Sequence, residues 1–178
     1  MWVIKMKAQL SNIIESFTDV YGFISCKSYK NKRMNLNKDD YFSEYSFLDA
    51  YKTIITLGFP YPSSEVKWKG KGYGILARFS YSNDYHIVIQ NMLDSIIVQL
   101  NSIGIKGKGS VDVSKVDEKY AAYLSGIGYF GKNSILIHNK YGSYMFLATI
   151  LIDQEIKEDS MLFDDCGTCD LCIKACPT

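Results

Sequence analysis

The chain has 178 residues, 47% hydrophobic and 22% charged, with a formal net charge of +1. This is globular usage at a length that can bury a core of its own, and it excludes a strongly basic nucleic-acid binder, an acidic tail and a low-complexity chain. Four of the five cysteines fall within eleven positions, 166 to 176.

The opening "MWVIKMKAQLSNIIESF" is interrupted by Lys5, Lys7 and Gln9, so it lacks the apolar run of a secretory signal. The longest apolar stretch, "YMFLATILI" (144–152), falls short of the ~20 residues a membrane span requires. A soluble cytoplasmic protein without membrane association is expected. In that reducing setting clustered cysteines are more often metal ligands or redox groups than disulfides.

Spacing predicts a first helix over 5–21, with Leu10, Ile13, Ile14, Phe17 and Val20 on one face and Gly22 as its stop. "FISC" (23–26) reads as a short buried strand, and the polar stretch 27–46 as irregular. "YKTIITLGF" (51–59) reads as a central strand ended by Pro60 and Pro62. Residues 61–83 are the least regular. The strongest periodicity lies in 84–103, where Tyr85, Val88, Ile89, Met92, Leu93, Ile96, Ile97, Leu100 and Ile103 trace one helical face. Ser82 or Asn83 is its expected cap and Gly104 its terminator. A further helix follows Ser114, which with Asp117 makes a weak capping box, and runs to about Ser125. "SILIH" (134–138) and "SYMFLATILI" (143–152) read as strands of one hairpin across "NKYG". The expected fold is an α+β sandwich with a mixed sheet. Its body covers 1–155, and the acidic linker 153–165 leads into a small cysteine segment, 156–178.

That segment, "CGTCDLCIKACPT", spaces its thiols C-x2-C-x2-C-x3-C-P through Cys166, Cys169, Cys172 and Cys176. This is the bacterial ferredoxin run, in which three cysteines hold one [4Fe–4S] cluster and the fourth reaches a second. A zinc knot is the alternative, although no second knuckle is present. No second cysteine run supplies the missing ligand, so the ligand set is incomplete and a chain cut from a longer protein is expected. A partner chain or an exogenous thiol are other sources. Cys26, in a buried strand, reads as a small core residue.

"GIGYFGKN" (126–133) satisfies G-x-G-x-x-G, but a helix precedes it and a strand follows. The dinucleotide fingerprint needs the reverse order. What remains is a tight helix-to-strand turn or a loop that brings backbone close to a bulky group.

Five segments together resemble the epoxyqueuosine reductases of tRNA modification, relatives of the corrinoid reductive dehalogenases. "ARFSYSNDYH" (77–86) resembles S-R-Y-x-x-G-R-D-Y-H, and "VDVSKVDEK" (111–119) resembles V-D-x-x-P-V-x-E-R. "SGIGYFGKNSILI" (125–137) resembles A-G-L-G-W-x-G-K-[NH]-[ST]-x-L-I, "GSYMFLATILID" (142–153) resembles G-S-[WY]-x-F-L-G-E-[IL]-L, and the cysteine tail is the fifth. The order and spacing agree over roughly 50–178.

The resemblance implies a nitroreductase-like α+β domain binding cobalamin, followed by the start of a ferredoxin-like module with [4Fe–4S] clusters. It implies reduction of an epoxide on a modified tRNA base in queuosine biosynthesis, with electrons from a flavodoxin or ferredoxin. Asp112 takes the position of the proton donor, which requires a carboxyl kept protonated near neutral pH at a cost of ~4 kcal/mol. Lys119 stands in the catalytic segment where the family has arginine. Gly128, Tyr129, Gly131, Lys132, Asn133, Ser134 and Arg78 are the implied cofactor contacts, and the four tail cysteines the metal ligands. Lys115 replaces a proline and Ala148-Thr149 a Gly-Glu pair, departures that bear on substrate more than on cofactor. The basic stretches 27–33 and 67–73, the latter with Trp68 and Tyr73, are solvated loops or local polyanion contacts. The alternatives are a non-catalytic corrinoid-binding or electron-transfer protein, or a reductase of another small substrate. The oligomeric state is not readable.

Overall fold

The computed structural model describes residues 2–36, 45–62, 64 and 66–177. Four strands form the main sheet: β1 (Val20–Ser25), β2 (Thr53–Pro60), β3 (Gly107–Ser110) and β6 (Met145–Ile152), in the order β1-β2-β6-β3. Every pairing in it is antiparallel, with Thr53 opposite Ile152 and Gly107 opposite the same Ile152 on its other side. The α+β class holds. The mixed sheet does not, because no pair of neighbouring strands runs parallel among the described residues.

Alternation along the strands divides two cores. Phe23, Ile55, Leu57, Ile150 and Ile152 point to one face, where α1 (Trp2–Glu15) and α3 (Tyr85–Ser102) cover them with Leu10, Ile14, Leu93, Ile96 and Leu100. Ile24, Ile54 and Leu151 point to the other, against Tyr29 of α2 (Cys26–Leu36) and Tyr120 and Leu124 of α4 (Glu118–Leu124). Ile96 and Leu93 are fully buried, each worth about 1.5–3 kcal/mol. No helix among the described residues is long and apolar enough to cross a membrane.

Local details depart from the expectations. Helix α2 occupies 26–36, where the polar composition suggested irregular chain; among its described side chains Cys26 and Tyr29 are the buried apolar ones, a stripe too thin to read. The remainder of that stretch, 37–44, lies outside the described residues. Strand β3, "GKGS", carries no strand-forming side chains and exists through its pairing with β6. Asp84, not Ser82 or Asn83, caps α3 by accepting from the His86 amide, and Gly104 ends the helix region with φ 81°. Asp117 likewise caps α4, leaving Ser114 outside it. The expected hairpin is displaced: β5 (Leu136–Ile137) pairs with β4 (Tyr129–Phe130), and only a bridge between His138 and Gly142 leads to β6.

After β6 the acidic segment turns back along β1. Asp159 donates its amide to the Phe23 carbonyl at 2.8 Å and accepts the Phe23 amide at 3.0 Å, while its carboxylate also takes Lys7. Ile156 is buried in the first core. The cysteine segment thus leaves the body from a fixed point, and ends in the short helix α5 (Leu171–Lys174).

Candidate active site

Beyond Ser110 the sheet pairing stops and the chain must turn from β3 into α4. Buried Val111 and Val116 pin the two ends of that turn, and Asp112 stands between them at φ 58°. The Val113 amide donates to the Val111 carbonyl at 2.7 Å, so Asp112 is the apex of a γ-turn of the positive-φ kind, a strained conformation for any residue but glycine. The Asp112 amide donates to Glu118 Oε1 at 3.1 Å.

The Asp112 carboxylate meets α3. Tyr85 donates its hydroxyl to Oδ2, and His86 Nε2 lies 3.0 Å from the same oxygen. His86 Nδ1 lies 2.7 Å from Asp84 Oδ1. The imidazole therefore sits between two carboxylates, and its hydrogen bond to Asp84, with Asp112 adding to it, holds its pKa above the ordinary value. Burial and Asp112 push the Tyr85 phenol up to about 12. Burial, then the neighbouring Asp112 carboxylate, push Glu118 up to about 7. Carboxyl, imidazole and phenol within one hydrogen-bonded group can hold and move protons near neutral pH.

Tyr85 also forms the wall of an open cleft of about 700 Å3. Its ring stacks on Phe146 at 4.0 Å and 7°, and Phe146 meets Tyr61 at 4.7 Å. Ser82, Asn83, Glu15 and Asp19 add polar groups to its lining. A flat, mostly apolar group with polar margins fits such a floor and rim. Arg78 approaches through Tyr144, its guanidinium 5.0 Å over a ring that meets Tyr61 edge-on.

The glycine-rich loop is placed elsewhere, against the cysteine tail. Gly128 and Gly131 are buried, and their missing side chains make room for β5: a Cβ at 128 would fall 2.4 Å from the Ile137 carbonyl oxygen. Asn133 accepts the Ile135 amide at 3.2 Å, and Ser134 has φ 61°. Lys132 crosses to the tail, donating to the carbonyls of Gly167 at 2.9 Å and Cys169 at 2.8 Å. The Tyr129 phenol is raised by desolvation and then by Cys166, which places it within electrostatic reach of the tail.

In the tail the Cys169 amide donates to the Cys166 carbonyl at 2.9 Å, forming a turn ahead of α5. None of the four is disulfide-bonded; Cys166 is half-buried and Cys169, Cys172 and Cys176 are exposed. No three His, Cys, Asp or Glu side chains among the described residues converge closely enough to hold a metal ion. Cys26 is a buried thiol of the second core.

The geometry joins Asp112 to Tyr85, His86 and Glu118, and does not join it to Lys119, which is exposed on α4. Glu118 escaped the sequence reading although it lies in the quoted "VDVSKVDEK", and Tyr85 was read only as a helix-face residue. The signal available was the pairing of "DYH" at a helix start with an aspartate in a loop.

Comparison with known proteins adds the context. The family described as "Epoxyqueuosine reductase QueG, DUF1730" matches residues 30–113. An epoxyqueuosine reductase of Cellulophaga algicola is 31% identical over 97% of this chain and 63% of its own length. One from Leadbetterella byssophila is 36% identical over 74% of this chain and 43% of its own length. Among solved structures, the epoxyqueuosine reductase of Streptococcus thermophilus superposes with a TM-score of 0.81 at 27% identity, over 98% of this chain and 53% of that one. An epoxyqueuosine reductase bound to an epoxyqueuosine-modified tRNA-Tyr stem loop gives 0.82 at 27% identity, over 99% of this chain and 52% of that one. The Bacillus subtilis enzyme, with its aspartate catalytic loop swung out of the active site, gives 0.80 at 26% identity, over 99% of this chain and 52% of that one. The chain thus spans about half the length of the solved relatives it matches.

Proposed function

We propose that the chain belongs to the epoxyqueuosine reductase family, to whose members it is similar in sequence and structure, and that it carries the proton-donating side of a reductase acting on an epoxide of a modified tRNA base. The observation that carries this reading is the Asp112 carboxyl, held at a loop apex by Tyr85 and His86 beside an open aromatic cleft. Reductive opening of an epoxide breaks a C–O bond, and the oxygen leaves readily only when a proton reaches it. Asp112 gives that proton, drawing it from the His86 imidazolium that lies 3.0 Å from the same carboxylate oxygen, Tyr85 aims the carboxyl, and Tyr61 and Phe146 keep water from the apolar floor. The loop carrying Asp112 moves, as the aspartate loop of the Bacillus subtilis relative does.

Two cofactors belong to the proposal. The donor chemistry of four cysteines spaced C-x2-C-x2-C-x3-C-P, none of them in a disulfide, fits an iron–sulfur cluster. Cys166, Cys169 and Cys172 would hold a [4Fe–4S] cluster and Cys176 would reach toward a second; the clusters, when bound, supply single electrons. Cobalamin, a flat macrocycle with amide margins, fits the cleft, and when bound supplies a low-valent cobalt reductant. Tyr61, Tyr85 and Phe146 would face the macrocycle and Ser82 and Asn83 its margins, whereas Gly128, Tyr129, Gly131, Lys132, Asn133 and Ser134 lie in the loop set against the cysteine tail and Arg78 reaches the cleft only through Tyr144. On this reading the body is nitroreductase-like, the tail opens a ferredoxin-like module, and a flavodoxin or ferredoxin feeds it. Exposed Trp68 and Tyr73, bridged by a bond from the Trp68 indole to the Tyr73 carbonyl at 2.8 Å, offer stacking faces to the tRNA loop.

The test uses the chain reconstituted without air with cobalamin, iron and sulfide, a chemical reductant, and a stem loop bearing the epoxide. Asp112→Asn should lower product formation by about 100-fold or more and leave the visible spectrum of bound cobalamin unchanged. Equal turnover in the variant removes Asp112 from the chemistry.

A further inference from the structure

The strained apex at Asp112 needs something to hold it, and Glu118 is the group in contact with its backbone. The Glu118 side chain is half-buried at the start of α4, and it accepts the Asp112 amide at 3.1 Å. It is not spent on capping the helix, since Asp117 accepts the Tyr120 amide and does that. The charged groups facing it are mostly of its own sign. From the loop come Asp112 and Asp117, whose carboxylates both oppose its ionisation. From α3 come Tyr85, bound to Asp112, and His86, bound to Asp84 and Asp112. From α2 comes Arg33, committed to Asp117 at 3.1 Å. Lys115 lies 5.8 Å over the Phe47 ring, and Lys119 is exposed on α4. An ionised Glu118 would therefore feel two neighbouring carboxylates in a half-dry site, with Arg33 committed to Asp117 and no cation bonded to Glu118 among the described residues.

We propose that Glu118 is the positioning residue for Asp112: protonated, its carboxyl holds the Asp112 amide at the apex of the 111–117 loop, and on ionising it lets the loop go. The neutral acid keeps an acceptor oxygen for the amide; the anion is the stronger acceptor, but burial and the Asp112 carboxylate each oppose it by more than that bond favours it, and outward movement of the loop relieves both. The raised proton affinity of Glu118 follows the same direction. By linkage, a loop that closes around a carboxyl of raised affinity closes more firmly at low pH and opens as pH rises past that affinity. The consequence for the reaction rests on the reading of Asp112 as the acid; the coupling of loop and carboxyl does not.

The experiment follows the backbone amide resonances of Asp112 and Val113 in 15N-labelled chain between pH 5.5 and 8.5, with neither cofactor nor tRNA added. Both amides should titrate together with a midpoint near the value of about 7 to which Glu118 is pushed. In Glu118→Gln, which keeps the acceptor and loses the proton, that titration should vanish and the closed-loop shifts should persist at high pH. In Glu118→Ala the amides should show open-loop shifts throughout, with hydrogen exchange at Asp112 at least about tenfold faster. Flat amide shifts in the parent chain, or the same midpoint persisting in Glu118→Gln, overturn the proposal; the latter would assign the titration to His86 or Asp112 itself. A kinetic arm adds that turnover falls above pH 7 in the parent but not in Glu118→Gln, with KM unchanged. Amide titration without any turnover would uphold this coupling and overturn the reductase reading alone.

Discussion

Lys132 donates its ammonium to the carbonyl oxygen of Cys169 at 2.8 Å, and so fastens the glycine-rich loop to the cysteine tail across 37 residues of sequence. The tail carries no buried apolar side chain between Cys166 and Pro177, so this bond and its companion to Gly167 are the polar ties seen between the loop and the turn. Lys132→Met should therefore loosen the turn while leaving the core untouched. Maleimide labelling of Cys169 should accelerate several-fold. Cys26 supplies the internal control, since its buried thiol is pushed up to about 12 and should stay unlabelled in both proteins. Unchanged labelling of Cys169 would show that the tie does not order the turn.

The two buried glycines of that loop should respond differently to a methyl group. At 128 the added Cβ would meet the backbone oxygen of Ile137 at 2.4 Å, and backbone paired in β5 cannot easily move. At 131 the nearest atoms are the ends of side chains, Ile137 Cδ1 at 2.5 Å and Asn133 Oδ1 at 2.7 Å, which can turn aside. Gly128→Ala should cost about 1–3 kcal/mol and Gly131→Ala less. Chemical denaturation of the two variants checks the order, and a larger loss at 131 would contradict it.

Much of the architecture was legible because it rests on periodicity. The face from Tyr85 to Ile103 and the apolar run of 51–59 gave α3 and β2 within a residue or two at their ends. Helix α2 and strand β3 were not legible, since Tyr29 and Cys26 make too thin a stripe and "GKGS" takes its strand form from β6. Strand direction is likewise a property of pairing, which is why a mixed sheet was expected where all pairs are antiparallel. At the site, Asp112 was visible through a matching segment. Glu118 was not, because its role depends on a turn that folds a residue six positions on back against the amide.

The polar interior offers a test of packing. Thr56 is fully buried in β2, and its hydroxyl finds no partner among the described residues. Burying an unpaired hydroxyl costs about 1–3 kcal/mol, and valine has nearly the same shape. Thr56→Val should stabilise the chain by about 1 kcal/mol, read as a higher denaturation midpoint at unchanged slope. A destabilised variant would mean that the hydroxyl has a partner, such as an ordered water.

Glu118 also sets a direction for global stability against pH. Its affinity for a proton rises from 4.5 in the free side chain to about 7 in the fold, so the folded state binds a proton that the unfolded chain has released between those values. Its contribution is intact below about pH 4.5 and is lost as pH rises toward 7 and beyond. The full shift corresponds to about 3 kcal/mol, and partial exposure reduces the expected loss to about 1–2 kcal/mol. His86, raised by Asp84 and Asp112, adds a loss of the same sign that begins above its ordinary value of 6.5. The two separate in Glu118→Gln, which abolishes the first and keeps the second. Denaturation at pH 5 and pH 8 should show the parent losing more stability than the variant over this interval, with the variant the more stable of the two at pH 8. A parent that gains stability between those pH values more than Glu118→Gln does would place the carboxyl in an environment that favours its anion, and with it would go the account of the 111–117 loop.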